Sequence, residues 1–262
     1  MSAIILQDEI VHYEVLGRGR PVLFLHGWVG SWRYWLPSMQ AASINYRAYA
    51  IDMWGFGNTA KPANRYMLSQ QLNLLGDFLD KMGIAKIAVV GHGLGAIVSL
   101  LFAEKNPTFI DRIMAVDMPL KFSQINPRLS QDSPTELADW LLGTTQDSEA
   151  ARIEAPKADE DAIYHSLRHL ESMDITEVPK RLMIPCLLVH GQDDPVVGAA
   201  EQDQISVLPS NFHYISFEGT GHFPMLDAPS KFNRLMTDFL TLPPGGLPSQ
   251  LELKEEWKRR VR

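Results

Sequence analysis

Short apolar runs alternate with longer segments whose apolar residues recur every three or four positions. The runs are Val22-Leu-Phe-Leu25, Ala48-Tyr-Ala-Ile51, Ile87-Ala-Val-Val90, Ile113-Met-Ala-Val116, Cys186-Leu-Leu-Val189 and Tyr214-Ile-Ser-Phe217. Near-continuous apolar character suits parallel strands covered on both faces. Between two of them, Leu68, Leu72, Leu75, Leu79 and Met82 fall on one helical face, and Gly83 stops the helix. A second helix is predicted over residues 96–103, ending near Asn106-Pro107. Such alternation predicts a doubly wound, mostly parallel α/β sheet. The opening stretch, residues 4–15 around Gln7-Asp8-Glu9, predicts an antiparallel hairpin at the sheet edge.

Residues 118–180 break the rhythm. They hold no convincing strand, carry Pro119, Pro127, Pro134 and Pro156, and contain 12 acidic against 6 basic residues. That length is too great for a simple connection. We expect a small helical cap there, with helices near 135–142 and 161–173, inserted between two parts of one core, residues 1–117 and 181–242. After 242 comes a tail, 243–262, that starts with the linker-like Pro243-Pro-Gly-Gly-Leu-Pro248. Leu253, Trp257 and Val261 give it one narrow apolar stripe, as in a solvated helix or a frayed end.

Composition narrows the class. The chain has 262 residues, 45% hydrophobic and 21% charged, which suits one α/β domain with an insert. A net charge of -7 argues against general nucleic-acid binding. The single cysteine, Cys186, sits in an apolar run and reads as a buried core thiol. No internal disulfide can form, and no segment approaches the ~18 apolar residues of a membrane span. A cytoplasmic protein is the expectation; the oligomeric state stays open.

The chemistry centres on Gly91-His92-Gly93-Leu94-Gly95, between a strand and a helix. Both outer glycines match the nucleophile-elbow pattern G-x-S-x-G, but its middle position holds glycine. A serine hydrolase needs an oxygen there to attack a carbonyl. Three more motifs follow strands: His26-Gly27-Trp28, Asp52-Met-Trp-Gly-Phe-Gly-Asn-Thr59 and Gly191-Gln-Asp-Asp-Pro-Val-Val197, with Gly219-Thr-Gly-His-Phe-Pro224 after the last one. In that order, the set resembles the α/β-hydrolase superfamily, over nearly everything outside the tail.

The resemblance implies an α/β-hydrolase fold with Gly93 at the nucleophile position, Asp194 as triad acid and His222 as base. Asp193 is an alternative acid, although the G-x-x-D count reaches Asp194. An imidazole with its pKa near neutrality moves the proton, and a carboxylate on its other nitrogen fixes the tautomer. Backbone N–H groups of Trp28 and Leu94 are the implied oxyanion donors, so loss of a side chain at 93 does not remove them. Asp52 and Asp117 also end strands and read as turn-forming, with Asp117 open as a displaced acid. His92 is expected to point back toward the sheet, and His26 to stabilise its loop.

Pocket candidates are His26, Gly27, Trp54, Phe56, Trp140 and Phe223, with Trp28, Trp32 and Trp35 among the same aromatics. Such a lining suits an apolar ligand. No cofactor is implied: the elbow lacks the Lys-Ser/Thr of a P-loop and the spacing of a dinucleotide fingerprint. No metal cluster is legible, since His165 and His169 share a helical face but lack an H-E-x-x-H glutamate. The site therefore reads as an ester or carbonyl hydrolase without its nucleophile, binding a small apolar carbonyl ligand with little or no covalent turnover. Two alternatives remain: a ligand-sensing or interaction pseudoenzyme, and an active serine enzyme whose nucleophile has been exchanged for glycine.

Overall fold

The computed structural model describes residues 2–173 and 175–251. The stripe of Leu253, Trp257 and Val261 lies outside them. Among the described residues, eight strands form one sheet in the order β1-β2-β4-β3-β5-β6-β7-β8. They are β1 (Ser2–Leu6), β2 (Glu9–Gly17), β3 (Arg20–Leu25), β4 (Tyr46–Ile51), β5 (Ile87–His92), β6 (Ile110–Val116), β7 (Cys186–Gly191) and β8 (Phe212–Phe217). From β4 to β8 every neighbour is parallel, while β1 and β2 run antiparallel at one edge. The expected hairpin is present. Gln7 and Asp8 both take positive φ, 50° and 66°, as a two-residue turn matched to strand twist requires.

The helices cover both faces. They are α1 (Leu36–Ala42), α2 (Leu68–Lys81), α3 (Leu94–Lys105), α4 (Pro134–Leu141), α5 (Gln146–Glu154), α6 (Glu160–Glu171), α7 (Val178–Arg181), α8 (Gln202–Ser206), α9 (Pro224–Asp227) and α10 (Pro229–Thr241). In α2 the apolar stripe buries Leu68, Leu72, Leu75, Phe78 and Leu79. Each fully buried Leu or Phe of that kind contributes about 1.5–3 kcal/mol. The helix α3 is different: every residue from Leu94 to Ala103 is buried. It packs on β5 and β6 on one side and on α2 and α7 on the other, so no polar stripe is needed.

Helices α4 to α7 form the insert between β6 and β7. Two of them match the sequence expectation. Of the other two, α5 is missed by periodicity because its exposed face is charged and its buried contribution is small, Ser148 and Ala151. The signal that marks it is a cap: the Thr145 hydroxyl accepts from the Ser148 N–H, followed by Asp147 and Glu149 in the first turn.

Strand register places the site. His92 pairs with Val116 across β5 and β6, so Gly93 and Asp117 leave adjacent strands at one level. The Gly93 N–H donates to Val116 O and the Asp117 N–H to Val189 O, both at 2.9 Å. The loops after β7 and β8 then bring Asp194 and His222 to the same carboxyl-terminal edge of the sheet, where open α/β sheets place their sites.

Candidate active site

The elbow is built from close backbone approaches. A β-carbon at Gly91 would stand 2.6 Å from Gly95 O, and one at Gly95 2.5 Å from Leu25 O. Neither position tolerates a side chain, and that packing holds α3 tightly on β3 and β5. Gly93 itself sits at φ 47°, ψ −110°, a backbone region that strains any residue with a β-carbon. It is the N-cap of α3, so the Leu94 N–H opens the helix without an intrahelical acceptor. Among the described residues neither the Leu94 nor the Trp28 N–H donates to a backbone acceptor outside the regular elements.

His222 and Asp194 form a buried pair. His222 Nδ1 lies 2.9 Å from Asp194 Oδ2, and both side chains are fully shielded. The other carboxylate oxygen, Oδ1, accepts from the Val196 N–H at 2.7 Å and the Val197 N–H at 3.2 Å. Burial works to raise the Asp194 pKa. The His222 charge and hydrogen bond, with the two N–H donors, outweigh it and hold the carboxyl below its ordinary value. The loop of His222 is fixed by Gly221, whose N–H donates to Asp227 Oδ2 at 2.8 Å. His222 Nε2 is buried and has no hydrogen-bond partner among the described residues. Asp193, the alternative acid, is exposed.

His92 departs from the sequence expectation. Its ring centroid is 4.5 Å from that of His222 rather than turned back toward the sheet. Tyr34 explains the placement: its hydroxyl accepts from the Gly27 N–H at 2.6 Å and donates to His92 Nδ1 at 2.8 Å. Burial, then the neighbouring His222, lowers the His92 pKa well below normal, so this ring is neutral. Sequence reading left Tyr34 out, because one tyrosine in an aromatic-rich loop carries no pattern.

Trp28 covers the elbow. A β-carbon built on Gly93 would lie 3.0 Å from its Cε3 and Cζ3 atoms. The indole is fully buried, and its Nε1–H donates to Ser166 Oγ of α6 at 3.0 Å. Ser166 in turn donates to Ile163 O at 2.7 Å. Thus the insert is tied to the elbow through one indole. Phe223 packs edge-on against Tyr34 with ring centroids 5.2 Å apart, and Phe56 likewise against His26 at 5.0 Å. Trp54, also buried, has no partner for its Nε1 among the described residues, and Arg65 lies over its ring.

The remaining candidates have specific surroundings. His26 Nδ1–H donates to Gly27 O at 2.8 Å, and Nε2 accepts from the Met53 N–H at 3.0 Å, so neither ring nitrogen is free. Trp140 on α4 lies half-buried beneath the Arg128 guanidinium, 4.0 Å from its ring centroid. Asp52 organises its own loop, accepting from the Trp32 N–H at 2.8 Å and the Asn58 N–H at 3.0 Å. Cys186 is buried, and burial pushes its thiol pKa far up, which makes it unreactive.

Two groups of metal-type donors occur here. One atom each of His92, Asp117 and His222 lie within 4.8 Å of one another, and so do atoms of Asp117, His190 and Asp194. Hydrogen bonds use His92 Nδ1, His222 Nδ1 and both oxygens of Asp194, and Asp117 Oδ1 accepts from the Gly191 N–H at 2.7 Å. These atoms are thus engaged by protein groups, and the arrangement suits proton transfer at His222 Nε2 beside backbone donors. Among the described residues no helix is long and apolar enough to cross a membrane.

Comparison with known proteins shows what the chain and its fold are similar to. The chain is 25% identical over 255 residues to 2-hydroxy-6-oxo-6-(2'-aminophenyl)hexa-2,4-dienoic acid hydrolase of Metapseudomonas resinovorans, covering 87% of each chain. Its fold is similar to that of the meta-cleavage product hydrolase of Pseudomonas fluorescens IP01, with TM-score 0.79 and 23% identity over 92% of this chain and 97% of the other. It is also similar in fold to the N-acyl homoserine lactonase AidH, solved as a Ser-to-Gly mutant with N-hexanoyl homoserine lactone, with TM-score 0.80 and 19% identity over 91% and 96% of the chains. Residues 22–235 match the alpha/beta hydrolase family, and the chain belongs to it.

Proposed function

We propose that this chain binds a small apolar ester or other carbonyl compound beneath the 118–180 cap and forms no acyl-enzyme with it. One observation carries the reading: a fully buried His222–Asp194 pair at 2.9 Å stands beside an elbow whose residue 93 has no side-chain oxygen. His222 is the base, Asp194 the acid that orients it, and the N–H groups of Trp28 and Leu94 receive the carbonyl oxygen. Trp28, Trp54, Phe56 and Phe223 supply the apolar wall. An attack on the carbonyl must then come from water deprotonated by His222, with no covalent intermediate. Sites stripped of part of a triad retain ~10³–10⁴-fold acceleration over water from binding and the oxyanion hole.

The experiment compares this chain with His222→Ala. Quenching of tryptophan fluorescence by an intact aliphatic ester measures binding, and release of p-nitrophenol from an activated ester measures turnover. Binding in both chains, with slow turnover only in the unaltered one, supports the reading. Equal rates show that the pair is idle.

A second reading is favoured by the position of Trp28 over Gly93, which leaves the elbow covered. Here the chain is a ligand sensor whose cap moves, and saturable binding with no turnover in either chain supports it. A third, an active serine enzyme with its nucleophile exchanged, is decided by the codon at position 93 in the gene.

A further inference from the structure

Tyr34 sits in the short turn Trp32–Trp35 and is buried. Its hydroxyl touches two separate segments of the site. It accepts from the Gly27 N–H at 2.6 Å, in the loop after β3, and donates to His92 Nδ1 at 2.8 Å, at the end of β5. The two segments are already in close contact there. A β-carbon on Gly27 would stand 2.9 Å from His92 Nδ1 and 3.4 Å from His92 O. Gly30, at φ 100°, lets the loop close on the tyrosine ring, whose Cδ1 lies 3.0 Å from where its β-carbon would be. The ring packs edge-on against His92 and Phe223, with centroids 5.6 and 5.2 Å away.

A hydroxyl has one proton and two acceptor lone pairs. With a lone pair taken by the Gly27 N–H, the proton goes to His92 Nδ1, which fixes His92 as the tautomer protonated at Nε2. Both groups are kept in the forms this requires. Burial raises the Tyr34 pKa well above normal, so the phenol keeps its proton. Burial lowers that of His92 well below normal, so the ring stays neutral and can accept. Gly27 immediately precedes Trp28, and His92 stands two residues before Leu94. A backbone tie, from the Gly95 N–H to His26 O at 3.0 Å, joins the same two segments. Loss of the hydroxyl would leave that bond in place but strand a buried N–H on Gly27 and a buried acceptor on His92. Groups stranded in this way are costly unless the backbone shifts to find them partners.

We propose that Tyr34 is a positioning residue for the oxyanion hole: through Gly27 and His92, its hydroxyl holds the N–H groups of Trp28 and Leu94 at one separation and one aim. This rests on the reading of those two N–H groups as the carbonyl-binding donors.

The test needs no turnover. Long-range proton–nitrogen magnetic resonance spectra of the unaltered full chain read the His92 tautomer directly. We expect a proton on Nε2 and none on Nδ1. The opposite tautomer, or a doubly protonated ring, overturns the proposal. Next, ethyl hexanoate isotopically labelled at its carbonyl carbon is added to the unaltered chain and to Tyr34→Phe, and infrared difference spectra record its C=O stretch. Donors aimed at the carbonyl oxygen lower that stretch. Phenylalanine keeps the ring contacts, so a merely structural role leaves the band unmoved. We expect a lowered band in the unaltered chain that shifts back toward the free ester in Tyr34→Phe, with the ester still bound. An equally lowered band in both chains overturns the proposal and leaves the oxyanion reading standing. Absence of a lowered band in the unaltered chain overturns the oxyanion reading, and the proposal with it. The tautomer is read on the unaltered fold, so the first arm can overturn the proposal even if Tyr34→Phe does not fold.

Discussion

The indole of Trp28 lies over the α-carbon of Gly93, with Cε3 and Cζ3 both 3.0 Å from where a β-carbon would stand. Two features at opposite ends of the chain's logic meet in that contact. Glycine at 93 offers no side-chain oxygen, and it also leaves the space against which the indole packs. Since the same indole donates to Ser166 on α6, the state of the elbow is coupled to the seating of the insert.

Gly93→Ser should therefore do two things together. It puts a β-carbon at φ 47°, at a cost of about 1–3 kcal/mol, and presses on Trp28. It also places an oxygen near His222 with backbone donors in reach, as esterase chemistry requires. The expected outcome is a lower urea midpoint with a gain in p-nitrophenyl ester hydrolysis. A variant that stays inert while folded and able to bind ester would leave the lost-nucleophile account without support.

The contact with Trp28 makes a separable prediction. If the indole resists a side chain at 93, then Gly93→Ser costs less stability in a Trp28→Ala background than alone. Coupling between touching residues runs to about 0.5–3 kcal/mol. A double-mutant cycle on urea midpoints measures it. Strict additivity would mean that Trp28 moves aside freely and does not guard the elbow.

Stability should also depend on pH in two opposed ways. His26, His92 and His190 have folded-state pKa values lowered from 6.5, chiefly by burial. Below that value the unfolded chain binds more protons, so their contribution is complete above about pH 6.5 and is lost as pH falls. Asp117 behaves oppositely. Its folded-state pKa is raised above 3.8, so its contribution is complete below that value and is lost as pH rises. Asp117→Asn removes only the second dependence. Its stability relative to the unaltered chain should climb as pH rises above about 4. A flat difference above that pH would place the Asp117 pKa near its ordinary value.

The sheet was legible because its central strands are buried on both faces and so read as unbroken apolar runs. The elbow was legible because Gly91 and Gly95 are demanded by backbone contacts, at fixed spacing from residue 93. The His222–Asp194 pairing followed from motif order after β7 and β8. What periodicity could not give was α5, whose apolar content is too small for a stripe. Nor could it give the contacts that close the site. Trp28 to Ser166 spans 138 positions, and Tyr34 to His92 spans 58. Each is one hydrogen bond made by a residue type that also serves ordinary packing, so nothing in the local pattern marks it.

The central claim is that residue 93 ends covalent chemistry in this chain while the acid–base pair remains. Its most direct measurement is intact mass after incubation with an activated fluorophosphonate, run beside Gly93→Ser. The account predicts no adduct on the unaltered chain and a stoichiometric adduct at position 93 in the variant. An adduct on the unaltered chain, mapped by peptide mass to residues around His222, would show that another side chain serves as nucleophile and would contradict the account.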